Sequence, residues 1–362
     1  MKTTGTPAFR PTANCIWNSF RGSGKRHLIL TGSRGTGKTT LLRALFPTPL
    51  PGITTWVRPQ KEVWLQENIT GCRALVGRFD GSLPGTENKM RPCPDGFLEL
   101  GVKALDRCLE GESEWVSVDE IGYLETGCPE YRDALRQLMA RKRLACVIRK
   151  QDTPIFRELT GREDVFLVDL DAPYGKLGCV VMASGLGKRF GGNKLMADFR
   201  GEPLICRALS ASRGIFHRRV VVTRHEDVAD LCRRLGMDVV LHRLPFRSDT
   251  VRLGLEAVGA VSGCLFLPGD QPLLRRETLA ALALAAVNGP EFIWRPAFGD
   301  TPGAPVLFPR WTFPELSTLP EGKGGGVVVK KYPEHLRTVG VRDEYELMDA
   351  DSPQDLSFLA ER

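Results

Sequence analysis

The chain has 362 residues, more than one ordinary hydrophobic core holds and enough for two domains of roughly 170–190 residues each. Apolar residues at 42% and charged residues at 26% are the balance of a folded globular protein, which excludes a disordered or fibrous chain. The net charge of +7 suits anionic ligands, but the cations are scattered and no run approaches the ~18 apolar residues of a membrane span, so neither nucleic acid nor membrane is an expected partner.

Residues 1–26 lack the apolar core of a signal peptide and read as an N-terminal extension of a cytoplasmic protein. Beyond them, apolar runs predict strands at 27–31, 53–57, 115–119, 144–149 and 165–170, with helices at 97–109 and 129–143. Residues 172–177, broken by Pro173 and Gly175, read as a linker between a domain at 27–171 and another at 178–362. The second half predicts strands at 178–183, 219–223, 238–242, 264–268 and 305–308, and helices at 203–212, 227–235, 249–260 and 276–286. Strands alternating with helices imply an α/β protein of two doubly wound domains with mostly parallel sheets. The ten cysteines form no C-x-x-C pair, and Cys146, Cys179 and Cys264 fall in apolar runs, as buried free thiols do.

Gly32-Ser33-Arg34-Gly35-Thr36-Gly37-Lys38-Thr39 follows the first strand and matches G-x-x-x-x-G-K-[ST]. Glycines let the backbone wrap a polyphosphate with its N–H groups inward, and a helix opening at Thr39 and Thr40 adds its positive end. Lys38 is then placed for the β/γ-phosphates and the Thr39 hydroxyl for Mg²⁺. Downstream, Val116-Ser117-Val118-Asp119-Glu120 is an apolar strand ending in two carboxylates: Asp119 for the metal, Glu120 to polarise an attacking water. With the turn, Asp119-Glu120-Ile121-Gly122-Tyr123-Leu124-Glu125 resembles the D-E-I-G-x-M-E segment of the THEP-type P-loop nucleoside-triphosphatases, Leu124 replacing Met. The resemblance spans about residues 26–170 and implies hydrolysis of nucleoside triphosphates with loose base preference. Arg149 or Lys150, ending the next strand, could reach the phosphates or lie solvated.

A second glycine-rich turn follows strand 178–183: Ala183-Ser184-Gly185-Leu186-Gly187-Lys188-Arg189-Phe190-Gly191-Gly192-Asn193-Lys194. Phe190 stands where a dinucleotide fingerprint needs glycine, and no acidic strand end follows at the right distance. Backbone amides from Ala183 to Lys188 suit the phosphates of a triphosphate instead, with Arg189 and Lys194 offsetting charge that grows on departing pyrophosphate. This loop resembles that of the MobA-like NTP transferases, in particular the molybdenum-cofactor cytidylyltransferase branch. Leu267-Pro268-Gly269-Asp270-Gln271-Pro272 resembles the family's second motif, whose Asp binds Mg²⁺, and Asp349-Ala350-Asp351-Ser352-Pro353-Gln354-Asp355-Leu356 resembles its closing segment. Asp349 and Asp351 could face the site, or the segment could only cap the last helix through Ser352. The 322–326 loop, Gly-Lys-Gly-Gly-Gly, could close on an anionic acceptor or be a surface turn. His225 and His242 flank strands and read as surface or helix-start residues.

The chain departs from the family at Ser184, at Ala304 in place of a usual His, and at Arg247-Ser248-Asp249-Thr250, where a G-x-x-S-S segment is usual. The joint resemblance implies Mg²⁺-dependent transfer from ATP, CTP or GTP to a molybdopterin-type cofactor, CTP being preferred on Ser184 alone. A molybdoenzyme client is a further implied partner. A sugar-phosphate or guanylyl transferase, or an NTPase-driven cofactor-delivery chaperone without transferase activity, are the alternatives.

Overall fold

The structure is a computed structural model that describes residues 8–83, 89–187 and 190–362. Its contacts divide the chain into an N-terminal unit, Gly24–Pro173, and a C-terminal unit that runs from Tyr174 to Arg362 and also takes in the described residues up to Ser23.

The N-terminal unit is one eight-stranded sheet. Its strands are β1 (His27–Thr31), β2 (Gly52–Val57), β3 (Glu62–Glu67), β4 (Arg73–Phe79), β5 (Met90–Pro92), β6 (Trp115–Ile121), β7 (Arg143–Ile148) and β8 (Val165–Asp169), in the order β5-β4-β3-β2-β6-β7-β1-β8. From β2 to β8 every pairing is parallel. All five residues of β1 are buried, the pattern of a central strand covered on both faces. The β2–β5 flank is antiparallel, the smaller part of a mostly parallel sheet. In β3, Val63 and Leu65 turn inward while Glu62, Trp64 and Gln66 are partly exposed, a period-2 pattern that the sequence reading passed over.

The C-terminal unit holds β9 (Leu177–Ala183), a small β10–β11 ribbon (Asp198–Phe199, Glu202–Pro203), β12 (Arg218–Thr223), β13 (Asp238–Leu241), β14 (Gly263–Pro268), β15 (Ile293–Phe298), β16 (Thr301–Pro302), β17 (Val306–Pro309) and β18 (Leu336–Gly340). The main sheet runs β13-β12-β9-β14-β17-β15-β16, with β18 beside β15. β9 lies between β12 and β14, parallel to both, so the turn leaving it sits where strand order reverses. Here too one flank is antiparallel, through the pairing of β14, β17 and β15.

Within the expected N-terminal extension, Ala13–Ser23 form α1, which packs on helix Arg276–Asn288 and β18 within the C-terminal unit. Cys15, Ile16, Ser19 and Phe20 are its buried face. The Ser19 hydroxyl lies 2.7 Å from the Ala281 carbonyl. Gly22 is required by this approach: a Cβ there would lie 2.4 Å from the Thr338 carbonyl oxygen. All ten cysteines are free thiols, eight of them buried. No helix among the described residues is long and apolar enough to cross a membrane.

Candidate active sites

In the N-terminal unit, the chain leaves β1 through Gly32, Gly35 and Gly37 at φ 139°, 81° and 83°, a backbone that side-chain-bearing residues avoid. α2 (Lys38–Leu45) starts at once, so amides of the turn and of Thr39 and Thr40 gather at its positive end. Ser33, Arg34, Gly35 and Gly37 are exposed, which leaves the turn open to a ligand. Lys38 is buried and lies across the turn, its Nζ donating to the Gly32 and Ser33 carbonyls at 2.9 Å each. The Thr39 hydroxyl donates to Asp119 Oδ1 at 3.1 Å, which joins the two candidate metal ligands, one on α2 and one on β6. Burial pushes the Asp119 carboxyl up, against the Thr39 bond.

Ser33 differs from its neighbours in the turn. Its N–H and hydroxyl are held by the Asp171 carboxylate at 2.9–3.1 Å, just past β8. Asp171 had no role in the sequence reading; the signal was an acidic pair, Asp169 and Asp171, ending a strand parallel to β1. Lys150 pairs with both, at 2.7 and 3.1 Å, and Arg149 Nε donates to Glu120 at 2.8 Å. Both strand-end cations are thus tied to carboxylates around the turn, and Glu120, the candidate for polarising water, is one of those partners. Glu125, closing the same motif, is buried and accepts the Gly122 N–H at 2.8 Å; burial raises its carboxyl to about 7.

In the C-terminal unit, the ends of β9, β12 and β14 open on a cavity of about 430 Å³. Ser184, Gly185 and Leu186 line it from β9, Arg224 from β12 and Asp270 from β14. Lys194 reaches in from the far side of the glycine turn, its Nζ 2.6 Å from Asp270 Oδ2 and 2.9 Å from Asp351 Oδ1. Burial works against its charge, but the two carboxylates outweigh that and hold its pKa up. Asp349 also lines the cavity, and burial, with the charge of Asp270 next, raises its carboxyl. The closing segment is fixed by the Ala350 N–H on the Asp270 carbonyl at 2.9 Å. Ser352 caps helix Pro353–Ala360 in a capping box with Asp355, so the two readings of that segment hold together: Ser352 caps while the aspartates before it face the cavity.

Other predicted residues lie elsewhere. Ala183 is fully buried at the end of β9, and Gly187, at φ 58°, closes the turn on the Gly192 carbonyl; neither lines the cavity. Lys188 and Arg189 lie outside the described residues. His242 is not a surface residue but is buried, with Nε2 2.9 Å from the Ser184 hydroxyl, which also lies 3.1 Å from the Val222 carbonyl. His225 caps the helix start as read, and its Nε2 lies 2.8 Å from the Gly185 carbonyl. Arg224 and Arg247, both on the cavity wall, were missed; Arg224 is held by the Leu244 and Pro245 carbonyls, and Arg247 packs on Gly324, which brings the 322–326 loop to the cavity edge. The signals were the strand end before Arg224 and, for Arg247, its place at a helix start in the segment where G-x-x-S-S is usual.

Two doubly wound α/β units, each with a glycine-lined turn leaving a central strand and a lysine and carboxylates gathered beside it, make this a protein of two nucleotide-handling domains. Residues 75–173 match the NTPase family and residues 179–337 match the MobA-like NTP transferase domain, so the chain joins an NTPase-type domain to a MobA-like nucleotidyltransferase domain. A probable molybdenum cofactor guanylyltransferase of Aquifex aeolicus is 28% identical over 102 residues, 28% of this chain and 49% of that protein. A 3-deoxy-manno-octulosonate cytidylyltransferase of Neisseria gonorrhoeae is 32% identical over 101 residues, 26% of this chain and 40% of that protein. The chain thus spans half or less of these curated relatives. Among solved structures, Rv0371c of Mycobacterium tuberculosis aligns at 25% identity over 52% of this chain and 98% of that one, TM-score 0.45. THEP1 of Aquifex aeolicus aligns at 21% identity over 40% and 89%, TM-score 0.35.

Proposed function

We propose that the C-terminal unit transfers a nucleoside monophosphoryl group from an NTP, CTP in the first instance, to a molybdopterin-type cofactor with release of pyrophosphate, and that the N-terminal unit hydrolyses nucleoside triphosphates, in the cytoplasm. The observation that carries the transferase reading is the Lys194–Asp270–Asp351 cluster at the mouth of the glycine turn. Amides of Gly185 and Leu186 would hold the phosphates stretched, and Lys194 would follow the leaving group as its charge grows. An acceptor phosphate is already largely ionised at pH 7, so positioning suffices without a general base. Arg224 and Arg247 offer that acceptor cationic partners.

Mg²⁺ fits both sites. Asp270 with Asp351, and Thr39 with Asp119, are hard oxygen donors, one or two per site, which is how Mg²⁺ is held when phosphates supply further ligands. When bound, it would offset phosphate charge in each.

The test is to incubate the protein with Mg²⁺, each NTP in turn, and molybdopterin or sugar phosphates, following pyrophosphate. Release that depends on molybdopterin and is fastest with CTP is expected. Release without acceptor, or none with any, sinks the proposal, and a preference for GTP or for sugar phosphates would move it to the guanylyl or sugar-phosphate reading.

A further inference from the structure

A second cavity, of about 350 Å³, opens beside the Thr39–Asp119 pair in the N-terminal unit, far larger than the attacking water of hydrolysis needs. A water attacking a terminal phosphate needs a space of one molecule, and added volume admits solvent that an NTP site gains by excluding. This cavity has the size of a small-molecule site. Its walls are chemically divided. Leu42, Phe46 and Leu50, from α2 and the loop after it, form an apolar side. Gln66 and Asn68 at the end of β3, with Thr54 and Ser117, form a polar one. Asn68 is locked by Leu50, Ser117 and Thr54 at 2.8–3.1 Å, and the Gln66 Oε1 takes Arg73, which leaves the Gln66 amide hydrogens for a ligand.

Arg43 completes the lining. It stands one helical turn after Thr39, hence on the same face of α2, and its charge is felt by Asp119. It is exposed and pairs with no carboxylate among the described residues. The location within the sheet also matters. The turn is tied to Asp171 on the β8 side, whereas the cavity lies on the β6–β2 side, past the candidate metal pair. Lys38 and Thr39 are the residues expected to address the terminal phosphates and their metal, and an acceptor on the β6–β2 side would reach the terminal phosphate past that pair.

Resting on the NTPase reading of this unit, we infer that the cavity is a phosphoryl-acceptor site and that the unit is a phosphotransferase for a nucleoside monophosphate. The flat base lies against Leu42, Phe46 and Leu50, the Gln66 amide meets its edge, and Arg43 holds its phosphate. An ionised oxygen of that phosphate forms the new bond to the γ-phosphorus. The bond from the γ-phosphorus to the bridging oxygen breaks, and its electron pair leaves with the nucleoside diphosphate. No proton is gained or lost: an NTP and a monophosphate become two diphosphates. Hydrolysis is then the side reaction of an empty acceptor site.

The full-length protein is incubated with Mg²⁺ and γ-labelled ATP, alone and with AMP, GMP, CMP or UMP, and label is followed into inorganic phosphate and into diphosphates. Label in at least one acceptor is expected, with release of inorganic phosphate suppressed by that acceptor. Arg43→Ala should raise the acceptor KM about tenfold or more, Arg43→Lys should recover part of it, and Leu50→Trp, which fills the cavity, should do the same as Arg43→Ala without shifting the ATP KM. Inorganic phosphate as the sole labelled product with every acceptor overturns the inference and leaves the NTPase reading standing. So does a rise in the ATP KM alone, which would make the cavity the base site of the NTP. Loss of label turnover altogether overturns both.

Discussion

Lys194 shows how much one side chain organises. Its partners lie 157 and 76 positions away in sequence, and its charge keeps Asp270, Asp349 and Asp351 from facing one another unscreened. Removing it as Lys194→Ala should lower nucleotidyl transfer by about 10²-fold or more, the scale of losing one charge-stabilising donor. The variant should also unfold at lower temperature, and added Mg²⁺ should recover more of that loss than it adds to the wild type, since the carboxylates are then open to it; thermal melts with and without Mg²⁺ read this directly. An equal Mg²⁺ effect on both proteins would mean the carboxylates do not act as a cation site. Ser184 gives a sharper case. Its hydroxyl is engaged by Val222 and His242, so it acts on a nucleotide through the shape of the turn. Ser184→Gly frees His242 Nε2 and loosens that turn, and should raise the KM for CTP more than that for GTP; an equal rise for every NTP would remove the basis for the CTP preference.

At the level of elements, local chemistry was legible and long-range pairing was not. The G-x-x-x-x-G-K-T turn between β1 and α2 could be read because its geometry is set by neighbours in sequence. The antiparallel flank β2–β5 could not, because its pairing is set by hairpins whose outward faces carry Glu62, Gln66 and Arg78 and dilute the apolar signal. Asp351 remained open for the same reason: its partner, Lys194, lies at the other end of the domain. Burial also leaves two opposed titrations inside the N-terminal unit. His27 on β1 accepts the Leu144 N–H at Nδ1, so its proton sits on Nε2 facing Asp164 at 3.3 Å, yet burial outweighs that carboxylate and lowers its pKa to about 4. Its stabilising neutral form is lost as pH falls from about 6.5 to 4, because the unfolded chain binds the proton first. Glu125, raised to about 7, works the other way: its contribution is present below the ordinary carboxylate range and is lost as pH rises through 7. His27→Asn should therefore flatten the acid side of the unit's stability curve, and Glu125→Gln the neutral side, in melts from pH 4 to 8. Parallel curves for wild type and either variant would refute the assigned protonation states.

At the level of the whole molecule, chain order and domain membership do not coincide. The N-terminal unit lies, in sequence, between α1 and β9 of the unit that follows it. The fragment 174–362 consequently lacks a helix whose Ile16 and Phe20 are 0% and 3% exposed in the full chain, and deletion of such side chains costs about 2–5 kcal/mol each. That fragment should melt well below the full chain's transferase transition and regain stability when a peptide of residues 8–23 is added, whereas 24–173 should fold without help. The functional counterpart is a cross of the two lysines, which serve turns in different sheets. Lys38→Ala should abolish γ-phosphate turnover and leave pyrophosphate-releasing transfer at the wild-type rate, Lys194→Ala should do the reverse, and the double variant should show the product of the two single effects, as sites without shared contacts do. Loss of both reactions in either single variant, with each unit still melting as in the wild type, would mean that one nucleotide site drives the other and that the fusion couples them.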